Sequence, residues 1–372
     1  MGTMKKYDWI VVGSGLFGAV FTHYAIEAGK NVLVIDRRDK TGGNIHCEQF
    51  NGVTVHSYGA HIFHTDRKEV WDFVNERCPL TQIIHSPVAV TENGRAFPMP
   101  FNMYTFSAMW PDVSTPAQAR ARIEEQTREW EGKTPANLEE KALSLVGKDI
   151  YEALIKGYTE KQWGRSCDTL PPAIIERLPL RFTYDNSYFK DKYVGVPRDG
   201  YNALIDNLLD GADIRLGVDY LKCREEFTGI SDNILFTGCI DEFFGHALGK
   251  LDYRSLRFET KILPIEESQG CTVVNYTGKN VPYTRIIEHN AFAPDKYYEE
   301  IVVSREYPAD YSGGAEPYYP IIDSKNKELY KAYKGLAATY PKVHFGGRLG
   351  MFEYMDMDDA IIVARKMADD LI

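Results

Sequence analysis

A short β-rich apolar run, Tyr7-Asp8-Trp9-Ile10-Val11-Val12, gives way at once to Gly13-Ser14-Gly15-Leu16-Phe17-Gly18 and then to a helical stretch reaching about Ala28. A second apolar strand, Asn31-Val32-Leu33-Val34-Ile35, ends in Asp36. Strand, glycine turn, helix, strand and terminal acid is the order of a βαβ dinucleotide-binding unit. Further on, Ser114–Glu131 is rich in Ala, Arg, Gln and Glu, and Glu139–Trp163 carries apolar residues at Leu143, Val146, Ile150, Leu154 and Tyr158. Steps of three and four predict one buried face of a helix. Pro171-Pro172 closes that region ahead of a helical turn over Ala173–Leu178. From about Tyr253 to Val303 the pattern changes to short β-like runs broken by Gly, Pro and Asn, which predicts an antiparallel sheet. Near the end, Val343-His344-Phe345-Gly346-Gly347-Arg348 reads as strand and glycine turn, and Asp356-Met357-Asp358-Asp359 opens a helix to about Leu371.

The implied class is α/β: a Rossmann-like dinucleotide-binding domain interrupted by a small helical domain and an antiparallel β-sheet domain. The nucleotide domain is expected to be discontinuous, from residues 1–80, about 195–250 and 320–372. The helical insert falls at about 100–180, and the sheet domain at about 82–98, 181–194 and 253–319. No internal repeat or low-complexity tract interrupts this order.

Composition narrows the classes of function. Over 372 residues, 43 Lys+Arg against 53 Asp+Glu leave a formal charge of −10, which argues against a nucleic-acid partner. A 44% hydrophobic fraction can build a core, while the longest apolar runs, such as Trp9–Val12 and Ala360–Ala364, fall short of a membrane span. With no signal-peptide pattern, a cytoplasmic location is expected. Six scattered cysteines form neither a zinc knuckle nor a small disulfide framework and are expected to be reduced. Aromatic residues make up 13% of the chain, enough for stacking surfaces as well as for cores.

Within the glycine motif each residue has a mechanical task. Gly13 makes the tight turn, Gly15 lets a pyrophosphate approach the backbone, and Gly18 lets the helix pack on the strand. The helix N-terminus then faces the anion. Asp36 would accept hydrogen bonds from an adenosine ribose. After Asp36 comes Arg37-Arg38-Asp39-Lys40-Thr41-Gly42-Gly43-Asn44, an acid followed by a Gly-Gly pair. That arrangement resembles glutathione-reductase-like and amine-oxidase-like flavoproteins, so the resemblance favours FAD over NAD. A second GxGxxG is absent from the sequence, which argues against a dedicated nicotinamide domain. The acids at Asp356–Asp359 suit a helix N-terminus as simple caps, and the same helix dipole could steady negative charge on a reduced flavin ring.

Three histidines, His56, His61 and His64, stand close together. They lack a matching carboxylate or cysteine partner, so no metal site is expected; at least one is better placed near the flavin ring. Arg177 and Arg285 each sit among apolar or aromatic neighbours, with tyrosines in related motifs, including Tyr188, Tyr318, Tyr319 and Tyr354. Guanidinium forks beside hydroxyl donors suit a sugar-nucleotide diphosphate, for which a chain of net −10 must gather positive charge locally.

Gly13–Gly18, Gly42-Gly43-Asn44, Tyr58–Thr65, Gly157–Gly164, Val281–His289, Glu316–Pro320 and Phe345–Leu349 together resemble the bacterial UDP-galactopyranose mutases. The resemblance runs through nearly the whole chain. It implies an isomerase that interconverts UDP-galactopyranose and UDP-galactofuranose on reduced FAD, with no net redox change. In the family, flavin N5 attacks the anomeric carbon, expels UDP, and the resulting flavin–sugar adduct opens and recloses its ring. Carried over residue by residue, Arg177 and Arg285 would hold the diphosphate, with Tyr188, Tyr319 and Tyr354 as hydroxyl partners. Tyr158 would stack on uracil, Trp163 would line the sugar side with Thr159 nearby, and Asn102 and Asn275 would contact the nucleotide. His64 and Asp356 would lie near flavin and sugar. Cofactor contacts would come from Gly13, Ser14, Gly15, Leu16, Phe17, Gly18, Asp36, Arg37, Gly43, Asn44, His61, Ile62, Arg348, Asp356 and Met357. The family's mobile lid maps around Trp163–Leu180. A homodimer, an external reductant and supply of galactofuranose for cell-surface polysaccharide are further implications. Alternatives are a mutase of a UDP-GalNAc or dTDP-6-deoxy sugar, and an amine-oxidase-like oxidoreductase.

Overall fold

Near-continuous apolar strands suit a parallel sheet covered on both faces, and the strands β1 (Trp9–Val12) and β2 (Val32–Ile35) form the centre of one in this computed structural model. Described are residues 6–175, 180–231, 233–311 and 315–372. The chain divides into two units, one of Met1–Gln82, Asp191–Tyr253 and Pro317–Ile372, the other of Ile83–Lys190 and Arg254–Glu316.

In the first unit five parallel strands run in the order Asp213–Arg215, β2, β1, Asn233–Phe236 and Val343–Phe345. This is the order of a Rossmann-like sheet. Alternation along β1 sends Trp9 and Val11 to one face and Ile10 to the other. On the first face they meet α1 (Leu16–Glu27), helix Asn202–Leu209 and the closing helix Met357–Leu371, through Phe21, Leu204, Ile361 and Ala364. On the second, Ile10, Leu33 and Ile35 pack with Tyr220, Phe227, Phe236 and Phe243. A hairpin of Cys47–Phe50 with Val53–His56 and a three-stranded sheet of Phe63–Thr65, Tyr193–Pro197 and Leu80–Gln82 complete the unit.

The second unit joins helices to a sheet that is antiparallel, as expected, except where Val273–Tyr276 runs parallel to Val88–Val90. Pro116–Thr127 starts at a capping box between Thr115 and Gln118, with Pro116 in the first turn, where its missing N–H is tolerated. The predicted helix over 139–163 is interrupted: Leu138–Ile150 passes through Gly147 at φ 77°, and Tyr151–Lys156 forms a π turn before Gly157–Trp163. The π turn adds a residue to the helical repeat. The buried stripe therefore moves from Val146 and Ile150 to Leu154 and Ile155 and then to Thr159, leaving Tyr158 only partly buried. In the sheet, Tyr253–Pro264 pairs with Glu300–Asp310, which pairs with Arg285–Glu288, then Val273–Tyr276, Val88–Val90 and Ala96–Pro98. All six cysteines are unbridged.

Gly18 is where α1 and the glycine turn come into contact, since a Cβ there would lie 2.1 Å from the Gly13 carbonyl oxygen and 3.1 Å from Val11 Cγ1. Neither backbone nor strand can yield without moving α1. Gly18→Ala should therefore lower stability by about 2 kcal/mol or more, read as a falling thermal midpoint, despite alanine's better helix propensity.

Candidate functional site

The glycine turn of the first unit is tied to the end of β2 by one carboxylate. Asp36 Oδ2 accepts from the Ser14 N–H at 2.7 Å and from Ser14 Oγ at 2.6 Å, and Oδ1 accepts from the Arg38 N–H at 2.9 Å. Asp36 is buried. Beyond the expected contact to a ribose, its structural work is to fix the turn. The Gly42 N–H donates to the Ser14 carbonyl at 3.1 Å, bringing Gly43 against Gly15 so closely that a Cβ on Gly43 would stand 2.9 Å from Gly15 Cα. At Gly15 itself a Cβ would meet only Gly43 Cα, at 3.7 Å. This leaves a backbone-lined cradle at the start of α1, which has no side-chain cap and no acid in its first turn. Such a helix end favours an anion, and the residues present fit a dinucleotide pyrophosphate.

Around the cradle, the Arg38 guanidinium donates to Asn44 Oδ1 at 3.0 Å and lies over the Tyr58 ring at 4.2 Å. Arg37 is exposed. Leu16 and Phe17 are core side chains, so only their backbone is left to offer a ligand. The late glycine turn returns here: a Cβ on Gly346 would sit 2.3 Å from Phe17 Cε1, and Arg348 follows in the short helix Gly347–Gly350. Asp356 stands at the N-cap of Met357–Leu371 without a side-chain capping bond, with Met357 partly buried beside it. The acids that follow have a structural task, since Asp358 Oδ2 accepts from Thr65 Oγ1 at 2.8 Å and from Arg67 at 3.2 Å.

The three histidines take different roles. His56 is buried, and its Nδ1 accepts from the His61 N–H at 3.0 Å, while His61 Nδ1 lies 2.7 Å from the Gly59 carbonyl. Tyr201 OH donates to the His61 carbonyl at 3.1 Å. This network fixes the turn ahead of buried Ile62 and of His64, whose Nδ1 lies 3.2 Å from Asp191 Oδ2. Among the described residues no group of three His, Cys, Asp or Glu is arranged to hold a metal. Tyr319 and Tyr354 come together in this unit with ring centroids 6.2 Å apart, and Tyr354 is largely exposed.

In the second unit Arg285 opposes Glu306 across the sheet. Arg285 Nε donates to Glu306 Oε2 at 2.7 Å, and Thr284 Oγ1 donates to Oε1 at 3.0 Å. Glu306 is fully buried, whereas the Arg285 side chain is 24% exposed, so a buried carboxylate aims a cation outward. Tyr188 packs on His85 at 5.6 Å, and its carbonyl accepts from Arg181 at 3.1 Å. Buried Arg181 also donates to the Ser187 carbonyl and pairs with Asp185. Asn102, expected as a nucleotide contact, has a structural task of its own. Fully buried, it caps helix Met103–Met109 through Oδ1 and braces the 185–186 turn by donating to the Asp185 carbonyl and Asn186 Oδ1. Asn275 Nδ2 donates to the Val88 carbonyl at 3.3 Å. Tyr158 and Trp163 are partly exposed on helix Gly157–Trp163, and Thr159 is buried. Arg177 lies outside the described residues, as do 176–179 of the expected lid segment.

Glu306, Arg181 and Lys161 are polar anchors that motif reading missed. Glu306 carried a faint signal: it stands two residues beyond Ser304 and four beyond Val302, on the buried face of its strand. A charge in that alternation implies a partner, but only strand pairing identifies Arg285.

Residues 153–354 match the UDP-galactopyranose mutase family model, and residues 11–77 match an NAD(P)-binding Rossmann-like domain. A probable UDP-galactopyranose mutase of Klebsiella pneumoniae is 38% identical over 99% of this chain and 96% of its own. A dTDP-fucopyranose mutase of Escherichia coli is 34% identical over 95% of each. A crystal structure of reduced UDP-galactopyranose mutase superposes with TM-score 0.76 at 14% identity, covering 98% of this chain and 95% of that one, a likeness of fold.

Burial lowers the His56 pKa to about 4. The unfolded chain therefore takes up this proton first, and stability present at neutral pH is lost as pH falls from about 6.5 toward 4. Between pH 7 and 5 the loss should be about 2 kcal/mol in urea unfolding, and His56→Asn should remove that part of the slope. Glu306→Ala should cost about 2–3 kcal/mol by leaving Thr284 and Arg285 without their acceptor, and Glu306→Gln less, in the same measurement.

Proposed function

This chain belongs to the UDP-galactopyranose mutase family, and we propose that it is an isomerase interconverting UDP-galactopyranose and UDP-galactofuranose, with reduced FAD as cofactor. What carries the reading is one chain holding both a backbone cradle suited to a dinucleotide and an arginine, Arg285, aimed from a sheet by a buried carboxylate. Gly13, Ser14, Gly15, Gly18 and Gly43 would hold the pyrophosphate through backbone, with Asn44, His61 and Ile62 beside it. Bound in its reduced form, FAD would supply a nucleophilic nitrogen and no net electron transfer, so a reductant would be needed for activation and not at each turnover.

The protein's own share is retention and orientation. Arg285, together with Arg177, would keep UDP beside the sugar, so that its return is effectively unimolecular; effective molarities for such steps reach about 10⁵–10⁸ M. Tyr188, Tyr319 and Tyr354 would add hydroxyl donors, Tyr158 a stacking face, and His64 and Asp356 polar groups near the reacting centre. The reading includes an external reductant, a homodimer, a cytoplasmic location and supply of galactofuranose to cell-surface polysaccharide. The relative named dTDP-fucopyranose mutase supports a second reading, in which the base is thymine and the sugar 6-deoxy.

Dithionite-reduced protein should convert UDP-galactofuranose to UDP-galactopyranose on chromatography, and the oxidised protein should not. Turnover of dTDP-fucofuranose in its place would favour the second reading. Steady reduction of an electron acceptor during turnover would instead make the chain an oxidoreductase. Arg285→Ala should lower kcat/KM by about 100-fold or more, the scale expected when a charged contact to a diphosphate is lost.

A further inference from the structure

Helix Gly157–Trp163 carries Tyr158 and Trp163, while the chain from Tyr276 to Tyr283 leads from Asn275 into the strand that begins at Arg285. Lys161 joins the two. Its Nζ donates to three carbonyl oxygens of that loop, Tyr276 at 2.9 Å, Gly278 at 2.8 Å and Val281 at 3.2 Å. An ammonium group has three donors, so the site is filled. Burial lowers the Lys161 pKa to about 8.

Further contacts reinforce the same seam. Thr277 Oγ1 donates to the Ala153 carbonyl at 2.8 Å, in the π turn that leads into the helix, and Lys279 pairs with Glu160 at 2.6 Å. Gly157 lies so close that a Cβ would stand 2.3 Å from the Thr277 carbonyl oxygen. The Lys279 side chain is 66% exposed, so that ion pair adds little. The converging ammonium and the hydroxyl fix the helix to the loop.

We propose that Lys161 is a positioning residue that latches the Tyr158 helix to the Asn275–Arg285 segment, so that base-facing and diphosphate-facing groups are presented at fixed spacing. This deepens the nucleotide-sugar reading above and rests on it. Preorganised groups bind with less ordering cost, so loss of the latch should weaken UDP binding while leaving chemistry on bound substrate nearly intact. A lysine that only stabilises the fold would lower the thermal midpoint without that split.

The test is calorimetric titration of the full-length flavoprotein with UDP, alongside steady-state kinetics. Lys161→Met should raise the UDP Kd and the KM about tenfold with kcat within about threefold, and Lys161→Arg, which keeps charge and donors, should recover most of the affinity. A folded Lys161→Met protein with wild-type Kd and KM overturns the latch. Should Lys161→Met not fold, the milder Thr277→Val decides: a Kd raised about threefold supports the latch, and an unchanged one overturns it. Wild-type protein that binds neither UDP nor dTDP overturns the underlying reading and the latch with it.

Discussion

Two stretches of bare backbone, at Gly15 and Gly43, meet so closely that a side chain on Gly43 would strike Gly15, and the arrangement of the first unit depends on that contact. The contact has an electrostatic guard. Asp36, at the end of β2, accepts both the backbone and the hydroxyl donors of Ser14, so the turn after β1 cannot drift from the strand beside it. With the turn fixed, α1 starts where Gly18 can pass the Gly13 carbonyl, and the closing helix packs along α1. A buried carboxylate is costly unless its lone pairs are filled. Here backbone and hydroxyl donors fill them, and a charge that would otherwise destabilise the core becomes its register mark.

The second unit solves the same problem with side chains. Glu306 is buried to hold Arg285, Arg181 is buried to hold the backbone of Ser187 and Tyr188, and Asn102 is buried to hold the turn at 185–186. In each case the more exposed group has behind it a fully or nearly buried polar group with defined partners. Satisfied polar networks specify one geometry, because any displacement leaves a buried donor or acceptor unmade. Orientation, more than stability, is what such anchors contribute.

Legibility in the sequence followed the range of the interaction. The βαβ unit was readable because its determinants lie within the 24 residues from Gly13 to Asp36 and each residue type has a single backbone reason to be there. The long helix over 139–163 was readable in outline, but the π turn and Gly147 were not, since a periodicity count assumes the repeat that those residues break. Asn102 enters as a nucleotide contact only through the family resemblance, whereas its capping role was legible locally, from Thr105 three residues on. Glu306 and Lys161 escaped notice because their partners are distant in sequence, Glu306 across a strand pair and Lys161 more than a hundred residues from its carbonyls.

The contrast between the units bears on where selectivity can arise. In the first, the anion cradle is made of N–H groups and glycine surfaces, with the side chains of Leu16 and Phe17 turned into the core. Backbone recognition depends on the path of the chain and tolerates sequence change wherever that path survives, which is how a fold can persist at 14% identity. In the second, on the proposed reading, Tyr158, Asn275 and Arg285 would act through side-chain atoms, where a single substitution changes the chemistry offered to a ligand. On the proposed reading, recognition of the cofactor's phosphates would therefore be the part of the protein that tolerates sequence change. On the same reading, discrimination between uracil and thymine, or between a hexose and its 6-deoxy analogue, would fall to the side chains that Lys161, Glu306 and Arg181 hold in place.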